Sequence, residues 1–175
     1  MPIIAIALAI AAVLGGGTAA VAQASLPGDA LWGFKIHVNE GLKAVLTTDT
    51  KSRADADIAA IQTRLTEAQT LATHGMLTAN EQAIIQTNIA AHAQGIATAV
   101  YKLQAQGDAP TAAQIAARYQ AAIAAGVGPL AKAQANANAG ASVSLAPLIS
   151  EVRAALDAAT TLSAQTNVAA AVQAR

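Results

Sequence analysis

The chain has 175 residues, a formal net charge of zero, 54% apolar residues and only 11% charged residues. Such thinly spread charge argues against nucleic acid as a partner, since that needs a concentrated basic surface, and zero cysteine excludes disulfides and thiol chemistry. Because alanine, the strongest helix former, supplies most of the apolar excess and aromatics make up 2%, the composition predicts an all-α fold.

The first 24 residues carry no charged side chain, and their densely apolar part, 3–14, has the length of a signal-peptide core. The whole stretch is also just long enough to span a bilayer as a helix. Cleavage after Ala22 or Ala24, each the end of an A-x-A pattern, would release a soluble domain, whereas retention would leave a membrane anchor. Residues 1–24 are therefore predicted to be a signal peptide or membrane anchor of an exported, extracytoplasmic protein, with cleavage favoured.

A turn separates this segment from the first amphipathic helix. Pro27 disfavours helix at the residue before it, Gly28 permits a turn, and Asp29 is a good N-cap. We expect a helix from Ala30 to about Leu46. Its apolar face has spacings of three and four residues: Leu31, Phe34, Val38, Leu42 and Val45.

The next two helices are predicted to form a long antiparallel hairpin. The first, capped by Thr48 or Thr50, runs to about His74, and Gly75 stands where a C′ glycine belongs. Its apolar stripe comprises Ile58, Ile61, Leu65, Ala68 and Ala72. Thr78 and Glu81 form a capping box that opens the second. That helix carries a facing stripe of Ile85, Ile89, His92, Ile96, Ala99 and Leu103.

The rest of the chain is predicted to be a helical extension. A helix starts at 108–111 and is expected to end at the Gly-Val-Gly-Pro run, 126–129. Residues 131–147 are predicted to be a weak helix or a loop, and Pro147 the first residue of a last helix that frays from Thr160 onward. The apolar positions of that helix are Leu148, Val152, Leu156 and Ala159. The predicted organisation is a signal or anchor (1–24), an Ala-rich bundle built around the hairpin (25–108) and an Ala-rich extension (109–175).

Two runs of residues carry a resemblance. "SLPGDALWGFKIHVNE", 25–40, resembles the opening signature LPGDxL(Y/W)xxK of an uncharacterised domain family of bacterial exported and membrane-tethered proteins. "RLTEAQTLATHGML", 64–77, is similar to the family's next feature, and the resemblance covers roughly 18–106. It implies an extracytoplasmic helical domain behind a signal or anchor, in some cases resembling the outer portions of anti-sigma-like membrane regulators. It implies no activity and no functional residue.

The sequence predicts no catalytic, cofactor-binding or metal site. No elbow or partner motif surrounds the serines, which are Ser25, Ser52, Ser142, Ser144, Ser150 and Ser163. A metal would need three or four ligands to converge, and His37, Glu40, His74 and His92 are spread over three helices. We therefore expect a protein that is not an enzyme and needs no cofactor.

His92 interrupts an aliphatic stripe, which predicts a partly buried histidine with a hydrogen-bonded nitrogen; the alternative is a pH-sensitive packing element. If burial alone matters, replacing His92 with Leu should stabilise the hairpin. Trp32 and Phe34, just past the apolar segment, are predicted to cap the core, with an interfacial anchor as the alternative.

Two functions remain open. The first is a helical interaction module of the bacterial cell envelope, whose partner is an unknown envelope protein. The second is self-association into a filament-like surface structure, because weakly charged Ala-rich helices pack closely and zero net charge does little to oppose association.

Overall fold

A computed structural model of the chain describes residues 25–29, 49–137 and 144–174. The chain divides into two compact units, Met1–Leu46 and Thr47–Arg175. In the first unit the predicted turn is present: Leu26 N donates to Asp29 Oδ2 at 2.7 Å, and Gly28 has a φ of 99°. The signal or anchor predicted at 1–24 and the helix predicted at 30–46 lie outside the described residues.

The second unit contains four described helices, and all regular secondary structure of the described residues is helical. These helices are α1 (Thr50–Thr73), α2 (Ala79–Ala105), α3 (Ala109–Ala137) and α4 (Ala146–Gln173). The all-α prediction is confirmed for this part of the chain. Among these helices, none combines the length and the hydropathy that a bilayer span requires.

Helices α1 and α2 form the predicted hairpin, and both apolar stripes are buried except at His92. The capping box of Thr78 and Glu81 is confirmed, and Gly75 adopts a φ of 66° in the turn. The predicted cap of α1 at Thr48 or Thr50 is wrong. Asp49 occupies that position, because its extended backbone lets the carboxylate accept from Ser52 N at 2.8 Å.

Helix α3 runs through the Gly-Val-Gly-Pro segment at 126–129, so its predicted end near Ala125 is wrong. A Cβ at Gly126 would lie 2.6 Å from Leu65 Cδ1, so this glycine permits close packing of α3 on α1 instead of ending the helix. Pro129 removes one backbone donor but fits inside the helix. Residues 131–137, predicted to be weak helix or loop, are helical, and 138–143 lie outside the described residues.

Helix α4 begins at Ala146 and places Pro147 in its first turn, as predicted. Leu148, Val152 and Ala159 are buried. The fraying predicted from Thr160 onward is wrong, because this half of α4 still packs against its neighbours. Its buried residues are Leu162, Ser163 and Thr166.

Contacts between named residues fix the order of the helices. Helix α1 packs on α2 and α3, and α4 packs on α3 and α2. Leu65 of α1 lies against Gly126 of α3, while Gln120 of α3 donates to Thr160 of α4 at 3.1 Å. With short turns at 74–78 and 106–108, this places neighbours along the chain antiparallel in an up-down-up-down bundle.

Candidate functional site

Charged side chains converge on the N-terminal half of α1. Asp55 and Asp57 lie on either side of the buried ridge formed by Ala54 and Ile58. Asp55 pairs with Lys51 of the same helix at 3.1 Å and with Arg118 of α3. Asp57 points the other way, toward α2. The two carboxylates therefore link α1 to both of its neighbours.

Asp57 contacts His92 across the hairpin, with Oδ1 of Asp57 2.9 Å from Nδ1 of His92. Both side chains are only partly buried, 28% and 24% exposed respectively. The second oxygen, Oδ2, lies 2.5 Å from the position that a Cβ at Gly95 would take. A carboxylate on Nδ1 favours the tautomer protonated there and orients the ring. The prediction of a partly buried, hydrogen-bonded His92 is confirmed.

An open groove of about 440 Å³ runs beside this contact, between α1 and α2. We call it the α1–α2 groove. Its polar lining comes from both helices: Thr50, Arg53 and Asp57 from α1, and Gln94, Thr98 and Lys102 from α2. Two cations, one carboxylate and several hydrogen-bonding groups can recognise a polar or charged partner. This lining does not place a nucleophile beside a base.

Half of the residues in the second run of the resemblance are buried in the core. Arg64 is fully buried and pairs with Glu67 one turn along α1, itself only 4% exposed. Leu65, Leu71 and Leu77 of the same run are buried as well. A buried ion pair requires close partners, since an isolated buried charge is very unfavourable. These residues therefore shape the fold, and they lie away from the lining of the groove.

The N-terminus of α4 is held by side chains from other helices. Leu145, its N-cap residue, offers no side-chain oxygen. With its amide oriented to match these neighbours, the buried Gln82 of α2 accepts from Leu148 N and donates to Ser144 O, each at 3.2 Å, and Gln134 of α3 accepts from Leu145 N. These bonds give acceptors to backbone N–H groups at the start of α4 that would otherwise lack a hydrogen-bond partner. They tie α4 to the hairpin, and sequence spacing gave no signal for them.

The structure does not gather the other residues considered as site candidates. In the second unit, Ser52 lies on α1, Ser144 lies just before α4, and Ser150 and Ser163 lie on α4; none of them lines the α1–α2 groove. Nδ1 of His74 lies 2.8 Å from Thr70 O at the end of α1. Within the described ranges, no three histidine or acidic side chains are placed to share a metal ion. Trp32, Phe34, His37, Glu40 and Ser142 lie outside those ranges.

Two groups that do not line the groove have shifted pKa values. Hydrogen bonds from Ser52 lower the pKa of the exposed Asp49 carboxyl below its usual 3.8, as expected for an N-cap. Burial raises the pKa of the Tyr119 phenol above 10.0, because the core disfavours the phenolate. The shift at Asp49 follows from its role as a helix cap, and the shift at Tyr119 follows from its burial in the core.

Comparison of the chain with known protein families, with curated proteins and with solved structures found no match in any of the three.

Proposed function

We propose that the protein is an exported helical interaction module of the bacterial cell envelope, which recognises a partner protein through the α1–α2 groove and catalyses no reaction. The observation that carries this proposal is the groove itself. It is open, it is lined by charged and hydrogen-bonding groups from two helices, and it lies beside the Asp57–His92 contact that joins those helices.

The walls of the groove are held in register, which favours specific recognition. Asp57 links α1 to α2, and Asp55 links the same turn of α1 to Arg118 of α3. A preformed surface loses little conformational entropy when a partner binds. These contacts support a binding surface over a loose assembly of helices.

The cellular location in this proposal rests on the apolar stretch at 1–24 and on the resemblance to exported and membrane-tethered domains. N-terminal sequencing of the protein from the native envelope tests it. A first residue of Gln23 or Ser25 means export with cleavage, and intact Met1 in the membrane fraction means anchoring. Intact Met1 in the cytosol would contradict export.

Site-specific photo-crosslinking in intact cells tests the binding surface. Thr98 in the groove and Thr161 on α4 make a matched pair, since both are exposed threonines that donate to the carbonyl four residues back. We expect a crosslinker at Thr98 to capture one discrete protein by mass spectrometry, and the same group at Thr161 to capture none. Equal capture at both positions, or none at either, would contradict the proposal.

Self-association into a filament-like surface structure is the second candidate, and one observation favours it. Val168 and Val172 lie one turn apart on α4 and are 66% and 68% exposed. Among the described helices, α4 packs on α2 and α3 and does not contact α1. Exposed valines on such a helix are available for contact with a second copy.

Sedimentation velocity distinguishes this alternative. If the chain self-associates through α4, wild type will sediment as an oligomer, and Val168→Glu combined with Val172→Glu will return it to a monomer. The matched change Thr161→Glu should leave the oligomer intact, because it alters an exposed residue outside the valine pair. A wild-type protein that stays monomeric in detergent would exclude this candidate.

A further inference from the structure

We infer that copies of the chain assemble head to tail, with the C-terminal part of α4 of one copy docked into a pocket between α1 and α3 of the next. The inference rests on the second candidate function, self-association through α4, and adds the surface that receives the valines. It leaves the α1–α2 groove available to a partner protein.

The docking segment is the uncharged part of α4, 158–173. Within it, Val168 and Val172 are 66% and 68% exposed and lie on the side of α4 opposite the buried Thr166. Gln165, one turn before Val168, is exposed beside them. This surface combines two apolar side chains with an amide and carries no charge, so covering it removes no ion of α4 from water.

Charge distinguishes three cavities between the described helices. The α1–α2 groove is lined in part by Arg53, Asp57 and Lys102, and a cavity of about 360 Å³ between α3 and α4 is lined in part by Arg153. Valine side chains buried beside such groups would deprive them of water, which is unfavourable. A third cavity, which we call the α1–α3 pocket, measures about 260 Å³ and has no charged lining residue. Of the three, it is the one that suits an uncharged apolar segment.

The α1–α3 pocket has an apolar floor and an amide rim. Leu65 of α1 and Ala122 of α3 are 5% and 3% exposed and form the floor. Gln62 and Gln69 stand exposed on the α1 side, and within the described helices their amides have no hydrogen-bond partner. Because an amide offers both donors and an acceptor, either can pair with the amide of Gln165 from the docked helix. Apolar side chains thus meet the floor while polar groups meet the rim.

The pocket also matches the docking segment in length. Its lining on α3 extends from Ala122 to Pro129, which is about 10 Å along the helix at 1.5 Å per residue. Val168 and Val172 are about 6 Å apart along α4 by the same measure, so the pocket spans both. Thr161 lies about 10 Å before Val168 and falls outside that span.

The two surfaces belong to different parts of the fold, which makes the contact head to tail. Among the described helices, α4 does not contact α1, and its two valines point to solvent. They therefore cannot reach the pocket of their own copy. A contact between two different patches repeats from copy to copy and gives an open chain or a ring, whereas one self-complementary patch gives a closed pair.

Sedimentation velocity of mixed variants tests the inference with the full chain in detergent micelles. Ala125→Glu places a charge in the pocket of a copy whose α4 is intact. Val168→Glu combined with Val172→Glu removes the apolar contact of α4 and leaves the pocket intact. We expect wild type to form oligomers and each variant alone to sediment as a monomer. Mixed one to one, the two variants should form a dimer and nothing larger, because one intact pocket meets one intact α4.

Ala124→Glu is the matched control, since Ala124 is the exposed neighbour of Ala125 and does not line the pocket. It should sediment like wild type. A mixture that stays monomeric, or an Ala125→Glu protein as oligomeric as wild type, would overturn the inference. If the valine variant alone still loses the wild-type oligomer under those outcomes, self-association through α4 stands and only the pocket assignment fails. A monomeric wild type would overturn both, and partner capture at Thr98 is read separately. Circular dichroism of each variant shows that its helices are intact.

Discussion

The carboxylate of Asp57 occupies the space that a side chain at Gly95 would fill, with Oδ2 2.5 Å from the ideal Cβ position. That glycine is therefore a close-approach position between α1 and α2, and it places Asp57 where Oδ1 meets His92. The absence of a side chain at Gly95 thus permits the polar contact between Asp57 of α1 and His92 of α2.

His92→Leu tests how much that contact stabilises the hairpin. We expect the substitution to lower the free energy of unfolding by about 1 kcal/mol, because it leaves a part-buried carboxylate without its partner. In a Gly95→Ala background, where Asp57 must turn away, the same substitution should cost little. Urea denaturation followed by circular dichroism gives both values. A more stable His92→Leu protein would mean that aliphatic burial outweighs the polar contact.

Gly126→Ala tests the close packing of α3 on α1. A Cβ there would lie 2.6 Å from Leu65 Cδ1, and Leu65 is only 5% exposed, so it has little room to move. We expect a net loss of about 1–2 kcal/mol, although alanine favours helix more than glycine does. Leu65→Ala should remove the clash, so the double variant should lose less stability than the sum of the single changes. Strict additivity would show that the two residues are not coupled.

Gly126 also shows where the local sequence pattern no longer predicts the structure. A Gly-Val-Gly-Pro run ordinarily ends a helix, and only the neighbouring Leu65 of α1 explains why Gly126 lies inside one. Gly75, by contrast, ends α1 through its own positive φ, which is a local property and was predicted. The capping box of α2 was predictable for the same reason.

The groove could be predicted only in part. The stripe that contains His92 follows from helical spacing, so the sequence could predict that His92 faces α1. Its partner Asp57 lies 35 residues earlier, and spacing within one helix cannot identify a contact across two. The approach of Arg53 and Lys102 to one groove depends on the register of the hairpin in the same way.

Gln82→Leu tests the capping of α4 by another helix. Loss of the glutamine amide leaves Leu148 N and Ser144 O without these bonds, and we expect a cost of about 1–2 kcal/mol. Amide hydrogen exchange should show faster exchange at Leu148. Gln120→Ala, which removes an exposed bond to Thr160, is the control and should cost well under 1 kcal/mol. Unchanged protection of Leu148 in the Gln82 variant would contradict the capping role.

Tyr119 should make the fold sensitive to alkali. Burial raises the pKa of its phenol above 10.0 in the folded protein, so above about pH 10 the unfolded chain loses its proton first. The stabilisation is complete below that pH and is lost as the pH rises through the folded value. Thermal denaturation between pH 8 and 11 should show a smaller loss of Tm for Tyr119→Phe than for wild type. Tyr101→Phe, at the exposed tyrosine, should behave like wild type.

The most direct test of partner binding at the α1–α2 groove is a photo-crosslinking scan along exposed positions of α2 in intact cells. Ala91, Gln94 and Thr98 line the groove, whereas Ala83, Thr87 and Ala90 are exposed on the same helix outside it. Binding in the groove predicts capture of one protein at the first three positions and little at the others, which lie on the same face of α2 nearer its N-terminus. Capture without that pattern, or no capture at any position, would contradict binding at this groove.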